Sequence, residues 1–244
     1  AIHPLKDLLT LIDLFLFIRK NNIKIIHTHS SKAGILGRLA AKLAGVKIII
    51  HTVHGWSFHD HQSIFLKRLF ISLERFVAMF TDRLIVVSDY DQAKGLKNRI
   101  GDQAKYCLIH YGIDYAEFNI VNSSIRRELG LENNDLVVGM VACFKPQKCP
   151  QDFIKLACLI NRNMPKVKFV LAGDGVLRKR IEELILDSNL GKNIILTSWR
   201  RDIPDILAAF DVFVLTSLWE GLPITLLEAM AEAKAAIVTD TGGV

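Results

Sequence analysis

Glu220 and Glu228 stand eight residues apart and bracket the segment Gly221-Leu222-Pro223-Ile224-Thr225. An apolar run from Val212 to Leu215 reads as a strand in front of them, and a helical pattern follows. Pro223 suits a first helical turn, where its missing N–H costs nothing. The free N–H groups of Ile224 and Thr225 then point out of the helix start and form a site for a phosphate. Glu220 falls in the loop before the helix, and Glu228 falls inside it, roughly 7–8 Å along the axis. One carboxylate can accept hydrogen bonds from a sugar and the other from a ribose, with the phosphates between them. In isolation this spacing fits a solvent-facing amphipathic helix better. The strand in front and the Gly-Leu-Pro turn tip the reading towards a site.

Lys148 adds a cation. It follows the loop after the first strand of the second half, where a lysine can neutralise a diphosphate as a point charge. The plain alternative is a surface lysine. In the first half, His51-Thr52-Val53-His54-Gly55-Trp56 follows a strand. A histidine at a strand's carboxyl end can act as an acid, a base or a hydrogen-bonding group. Two histidines three apart also raise metal binding, but no carboxylates sit at matching offsets. The competing reading is a satisfied structural histidine. His29 and Lys32 are expected to begin a helix after another strand and to meet an anionic acceptor group, with Ser31 as a plain N-cap. Gly173-Asp174-Gly175 invites comparison with the dinucleotide fingerprint and fails it. Arg178 occupies the third glycine position, and no acidic residue closes the next strand. A tight strand–helix turn explains it, with mainly backbone geometry at stake.

The elements that must hold these groups alternate. Helical patterns cover Leu5 to Lys20, Ser31 to Leu43, Ser63 to Phe80 and Ser88 to about Arg99. Strand patterns cover Ile23 to His27, Lys47 to His51, Arg83 to Val87 and Lys105 to Ile109. Tyr111 to Asn122 is polar and breaks the rhythm, so a domain boundary is placed between residues 120 and 121. A short helix near Ser124 to Leu129 opens the second half. Its strands are Leu136 to Val141, Val167 to Ala172, Asn193 to Thr197, Val212 to Leu215 and Ala236 to Thr239. Its helices lie near Gln151 to Asn163, Leu177 to Ser188, Pro204 to Ala209 and Pro223 to Glu232. Such alternation implies βαβ units and parallel sheets, whose ligands bind at the carboxyl ends of strands. There is no repeat of solenoid period and no low-complexity tract.

Composition narrows the class. Half of the 244 residues are hydrophobic, and the mean hydropathy of +0.27 prompts a search for a membrane span. The most apolar stretch, Leu8 to Ile18, is interrupted by Asp13 and is shorter than the ~20 residues a spanning helix needs. It reads as an amphipathic or buried helix, and no small-residue cleavage site follows it. Cys107, Cys143, Cys149 and Cys158 form no Cys-x-x-Cys pair, as expected for reduced structural thiols of a cytoplasmic protein. The net charge is +6, and residues 1–120 hold all of the excess and all eight histidines. A basic half suits an anionic membrane surface or a phosphorylated acceptor, or is simply a solvated face. The modest excess and the lack of interleaved aromatic and basic residues argue against nucleic acid.

Several segments together resemble glycosyltransferase family 4, the retaining "group 1" glycosyltransferases of GT-B fold. Glu220 to Glu228 resembles the family's E-x7-E motif. Cys143-Phe144-Lys145-Pro146-Gln147-Lys148 resembles its R-L-x-P-x-K-G loop, and Leu171-Ala172-Gly173-Asp174-Gly175 its strand-GDG turn. Trp199-Arg200-Arg201-Asp202-Ile203 resembles the segment beside the nucleotide base, and His110-Tyr111-Gly112-Ile113-Asp114 the N-G-V-D hinge. His27 to Gly34 and His51 to Gly55 resemble acceptor-side loops. The resemblance covers nearly the whole chain, in the family's order.

It implies an α/β protein of two Rossmann-like domains with parallel sheets facing across a cleft, here incomplete at both ends. Residues 1–120 would form the acceptor-binding domain without its opening strands, and 121–244 the nucleotide-sugar-binding domain without its C-terminal helices. A nucleotide diphosphate sugar, expected to be a UDP-sugar, would be held by Lys148, Gly173, Arg200, Gly221, Leu222, Ile224, Thr225 and Glu228. His54 and Glu220 would be catalytic, and His29 and Lys32 would meet a glycan or lipid-linked acceptor. Retention is implied, by front-face attack because no nucleophile is evident. No cofactor and no metal are expected, and a cytoplasmic place at the inner face of the cell membrane is. Two departures stand out: Cys143 replaces the usual arginine and Cys149 the glycine, leaving Lys145 as a candidate second charge. The alternatives are a non-catalytic nucleotide-sugar-binding subunit and a UDP-N-acetylhexosamine epimerase of the same fold.

Overall fold

The computed structural model describes residues 3–119 and 124–244. The chain divides into two units after Tyr111. The boundary expected between 120 and 121 lies outside the described residues.

The first unit is built from α1 (Pro4–Lys20), β1 (Ile25–His29), α2 (Ser31–Ala44), β2 (Ile48–Val53), α3 (Ile64–Ala78), β3 (Arg83–Val86), α4 (Asp89–Lys97) and β4 (Tyr106–Leu108). The strands form one parallel sheet in the order β1-β2-β3-β4. Local chemistry sets the helix ends. Pro4 sits in the first turn of α1. Gly45 ends α2 in the left-handed region at φ 74°. Ser88 caps α4 by accepting the Asp91 N–H at 3.2 Å. A buried ion pair ties α2 to α3: Arg38 Nη2 donates to Glu74 Oε2 at 2.7 Å.

The second unit comprises α5 (Ile125–Glu128), β5 (Val137–Val141), α6 (Pro150–Asn163), β6 (Lys168–Ala172), α7 (Arg178–Asp187), β7 (Ile194–Leu196), α8 (Ile203–Ala208), β8 (Val212–Leu215), α9 (Ile224–Ala231) and β9 (Ala235–Val238). Its parallel sheet runs β7-β6-β5-β8-β9. Phe153, Phe169, Phe210 and Phe213 are fully enclosed around it, each contributing about 2–3 kcal/mol of apolar burial. The α/β class with two parallel sheets agrees with the expectation.

The strand order matters for function. From β5 the chain adds β6 and β7 on one side, then returns to add β8 and β9 on the other. The loops after β5 and β8 therefore diverge at a reversal of strand order. In such sheets the crevice at that reversal, at the strands' carboxyl ends, receives ligands. Lys148 lies in the first loop and Glu220 in the second.

Candidate active site

The two loops at the reversal are stitched together. The Leu218 N–H donates to the Gln147 carbonyl at 2.8 Å. Thr216 Oγ1 donates to the carbonyls of Lys148 and Cys149 at 3.1 and 3.0 Å. A turn of 3-10 helix, Pro146–Lys148, aims Lys148 across the gap. Its Nζ meets Glu220 Oε1 at 2.5 Å, with side chains 15% and 5% exposed. Glu220 also accepts from Ser217 Oγ at 2.5 Å and from Gln147 Nε2 at 3.3 Å. A carboxylate this enclosed needs such donors.

Gly221 and Leu222 carry the chain from Glu220 into α9, which starts at Ile224 with Pro223 as its N-cap. The first-turn N–H groups of Ile224 and Thr225 have no partner inside the helix. Thr225 Oγ1 is buried and has no hydrogen-bond partner among the described residues. Next to it a cavity of about 230 Å³ is lined by Cys143, Gly173, Trp199, Arg200, Ile224, Thr225 and Glu228. Glu228 is half-buried, and its pKa is raised by burial and by the neighbouring Glu117 carboxylate. Five of the expected donor residues thus share one cavity. Lys148, Glu220, Gly221 and Leu222 stand in the adjoining loops.

Arg200 is heavily engaged. It donates to both Asp202 oxygens at 2.9 and 2.5 Å and to Glu128 Oε1 at 2.6 Å. It brackets the loop, with its guanidinium forming part of the cavity wall. Gly173 is forced by backbone approach. At φ 139°, a Cβ there would lie 1.9 Å from the Ala142 carbonyl oxygen. Cys149, in the expected glycine position, adopts φ 46°, so the left-handed turn persists despite its side chain. Cys143 faces the cavity in the expected arginine position.

In the first unit the residues expected on the acceptor side lie near the ends of β1 and β2. β1 runs two residues further than expected, to His29, because its backbone pairs with β2 in the register His29↔Thr52. His29 is therefore the last residue of a strand, where the sequence suggested a helix start. His27 Nε2 meets Thr52 Oγ1 at 2.7 Å, and His29 Nδ1 meets His54 Nε2 at 2.9 Å. His54 Nδ1 bonds the Tyr111 hydroxyl. His51 is the structural histidine of the pair: it is buried, bonded to Thr28 Oγ1 at 2.9 Å, and its pKa is lowered by burial to about 3. α2 packs so closely on it that a Cβ at Gly34 would sit 2.4 Å from its ring. Lys32 turns to α1, where its Nζ meets Asp7 at 2.5 Å. Among the described residues, no group of three or more His, Cys, Asp and Glu could hold a metal ion.

Residues 121–244 match the family model described as glycosyl transferases group 1, which is just over half of the chain. The chain belongs to the group 1 glycosyl transferases. Residues 2–117 match the model described as Glycosyltransferase Family 4. An Escherichia coli relative, UDP-Gal:alpha-D-GlcNAc-diphosphoundecaprenol alpha-1,3-galactosyltransferase, is 41% identical over 99% of this chain and 64% of its own length. A Campylobacter jejuni relative, N,N'-diacetylbacillosaminyl-diphospho-undecaprenol alpha-1,3-N-acetylgalactosaminyltransferase, is 28% identical over 100% of this chain and 66% of its own. The chain therefore spans slightly less than two thirds of these relatives. The fold resembles that of Anabaena HepE, solved with UDP and glucose, at a TM-score of 0.83 and 23% identity, covering 96% of this chain and 63% of that one.

For a group 1 glycosyl transferase the sequence hid several supporting residues. Ser217 and Gln147 hold Glu220, and Thr239 Oγ1 donates to the Ser217 carbonyl at 2.6 Å from the loop after β9. Tyr111 was readable only as part of a hinge. Serine, glutamine and threonine in loops carry no spacing signal, and only the sheet brings them together.

Proposed function

We propose that the whole protein is a retaining glycosyltransferase that transfers a hexose from a UDP-sugar to a saccharide carried on a lipid diphosphate, in the synthesis of a cell-surface polysaccharide or glycoconjugate. The observation that carries this reading is the Lys148–Glu220 pair at the reversal of strand order, one short loop from the start of α9. The diphosphate lies against Lys148 and the N–H groups of Ile224 and Thr225. Glu228 accepts the ribose hydroxyls, and Glu220 those of the transferred sugar.

Negative charge grows on the diphosphate as the sugar–oxygen bond breaks. A fixed ammonium and helix-start N–H groups favour that charge without reorganising. In this reading they take the place of a metal ion. The acceptor oxygen bonds the anomeric carbon on the face that the diphosphate leaves, and the hydroxyl proton passes to the departing diphosphate. Configuration is retained. The first unit supplies the acceptor side through His29 and His54.

The relatives' names support the substrate classes. The E. coli relative is named for UDP-Gal and a diphosphoundecaprenol acceptor, and the C. jejuni one for a diphospho-undecaprenol acceptor. The basic excess of residues 1–120 suits work at an anionic membrane on its cytoplasmic face. Among the described residues no helix is long and apolar enough to cross a membrane.

The test is transfer by the whole protein, offered UDP- and GDP-hexoses with a lipid-diphosphate-linked saccharide. A UDP-sugar should give an α-linked product only when the acceptor is present. Binding without transfer would point to a non-catalytic subunit, and a changed sugar without acceptor to an epimerase. Equal rates with and without anionic vesicles would count against the membrane placement.

A further inference from the structure

Three of the four ring nitrogens of His29 and His54 are committed to one another and to Tyr111. His54 Nε2 lies 2.9 Å from His29 Nδ1, and His54 Nδ1 bonds the Tyr111 hydroxyl. The planes of His29 and His54 differ by 21° with centroids 5.2 Å apart, and those of His54 and Tyr111 by 13° with centroids 5.7 Å apart. Bonded edges at these separations describe rings lying side by side, nearly in one plane. Ring N–H bonds and lone pairs lie in that plane, so the rings are aligned to pass hydrogen bonds along the row. The fourth nitrogen, His29 Nε2, has no partner among the described residues, and His29 is exposed.

The direction of the row follows from its inner end. Burial, with Asp91 adding to it, raises the Tyr111 pKa, so the phenol keeps its single proton. It can donate that proton to His54 Nδ1. A neutral His54 then carries its own proton on Nε2 and donates to His29 Nδ1. A neutral His29 must carry its proton on Nε2, facing out of the row. For His54 and His27 the neutral form is favoured: burial and then His29 lower the pKa of both, and the His27 ring is centred 4.3 Å from that of His29. His51 on β2 is also neutral.

We propose that Tyr111 and His54 are positioning residues that hold His29 as its outward Nε2–H tautomer, making His29 the ring that donates a hydrogen bond to an oxygen of the acceptor. This rests on the reading that the first unit serves the acceptor. It gives His29, which the sequence already places on the acceptor side, a defined donor atom, and makes His54, the ring expected to be catalytic, the one that sets it.

The test is long-range 1H–15N correlation spectroscopy of the whole protein labelled at histidine nitrogen, which reports the tautomer of each ring without any transfer reaction. At pH 7.5 both His29 and His54 should be Nε2–H tautomers. Tyr111→Phe should turn both into mixtures. In transfer assays it should lower kcat/KM for the acceptor roughly tenfold, the value of about one hydrogen bond, with KM for the nucleotide sugar unchanged. His29→Gln, which keeps an outward N–H, should retain more activity than His29→Ala. A wild-type His29 protonated on Nδ1 would overturn the proposal, as would unchanged tautomers or unchanged acceptor kinetics in Tyr111→Phe. Correct tautomers in a protein that transfers no sugar would instead sink the transferase reading alone.

Discussion

Lys148 and Glu220 come from the two loops that border the reversal of strand order, and their side chains meet at 2.5 Å in a largely enclosed setting. Neither residue has an equivalent partner nearby in sequence. The sheet creates the pair, at the end where sheets of this kind receive their ligands.

Breaking this pair should cost stability as well as binding. Lys148→Met leaves Glu220 enclosed with only Ser217 and Gln147 as donors. A loss of about 3 kcal/mol is expected. Pairing Lys148→Met with Glu220→Gln should restore much of that loss, because no unpaired charge remains. Urea denaturation of the four proteins in the cycle measures it.

Thr225 should behave in the opposite way. Its hydroxyl is buried and has no hydrogen-bond partner among the described residues, which costs on the order of 1 kcal/mol. Thr225→Val should therefore raise the melting temperature slightly and weaken UDP binding roughly tenfold. A variant that is less stable and binds UDP normally would assign the hydroxyl no ligand role.

Much of this arrangement was legible beforehand. Apolar runs of four to six residues, such as Val212 to Leu215, are continuous because parallel strands are covered on both faces. The helix expected from Ser88 does begin there, with Ser88 as its cap. The sequence ends β1 two residues early because Thr28 and His29 are polar, and a polar strand end looks like a loop. Pairing with β2 decides the matter, and pairing is long-range. The Tyr111–His54–His29 row was invisible for the same reason: its members lie on β1, after β2 and after β4.

Gly173 tests the backbone approach at the cavity. Gly173→Ala puts a methyl group against the Ala142 carbonyl at a φ of 139°. Strain and overpacking together should cost about 2–4 kcal/mol. The urea midpoint should fall with an unchanged slope. A neutral substitution would mean the loop after β5 can move away freely.

Two buried groups should shape the pH profile with opposite signs. His51 is held to about 3, below its ordinary 6.5. The unfolded chain takes up a proton that the folded protein refuses, so stability falls as pH drops from about 6.5 towards 3, by about 1.4 kcal/mol per unit. Asp91 is raised by burial from 3.8 to about 6. The folded protein holds that proton more tightly, so its contribution is full below about 4 and is lost as pH rises to about 6. His51→Gln should flatten the acid limb, whereas Asp91→Asn should steepen it and raise stability at pH 7. Chemical denaturation from pH 4 to 7 separates the two.

Lys148 and the start of α9 should together grip a diphosphate. Calorimetric titration of the whole protein with UDP and with uridine isolates the phosphate contribution. UDP should bind at least tenfold more tightly than uridine, and Lys148→Met should remove most of that difference while leaving uridine binding unchanged. Equal affinity for UDP in the wild-type protein and Lys148→Met would contradict it.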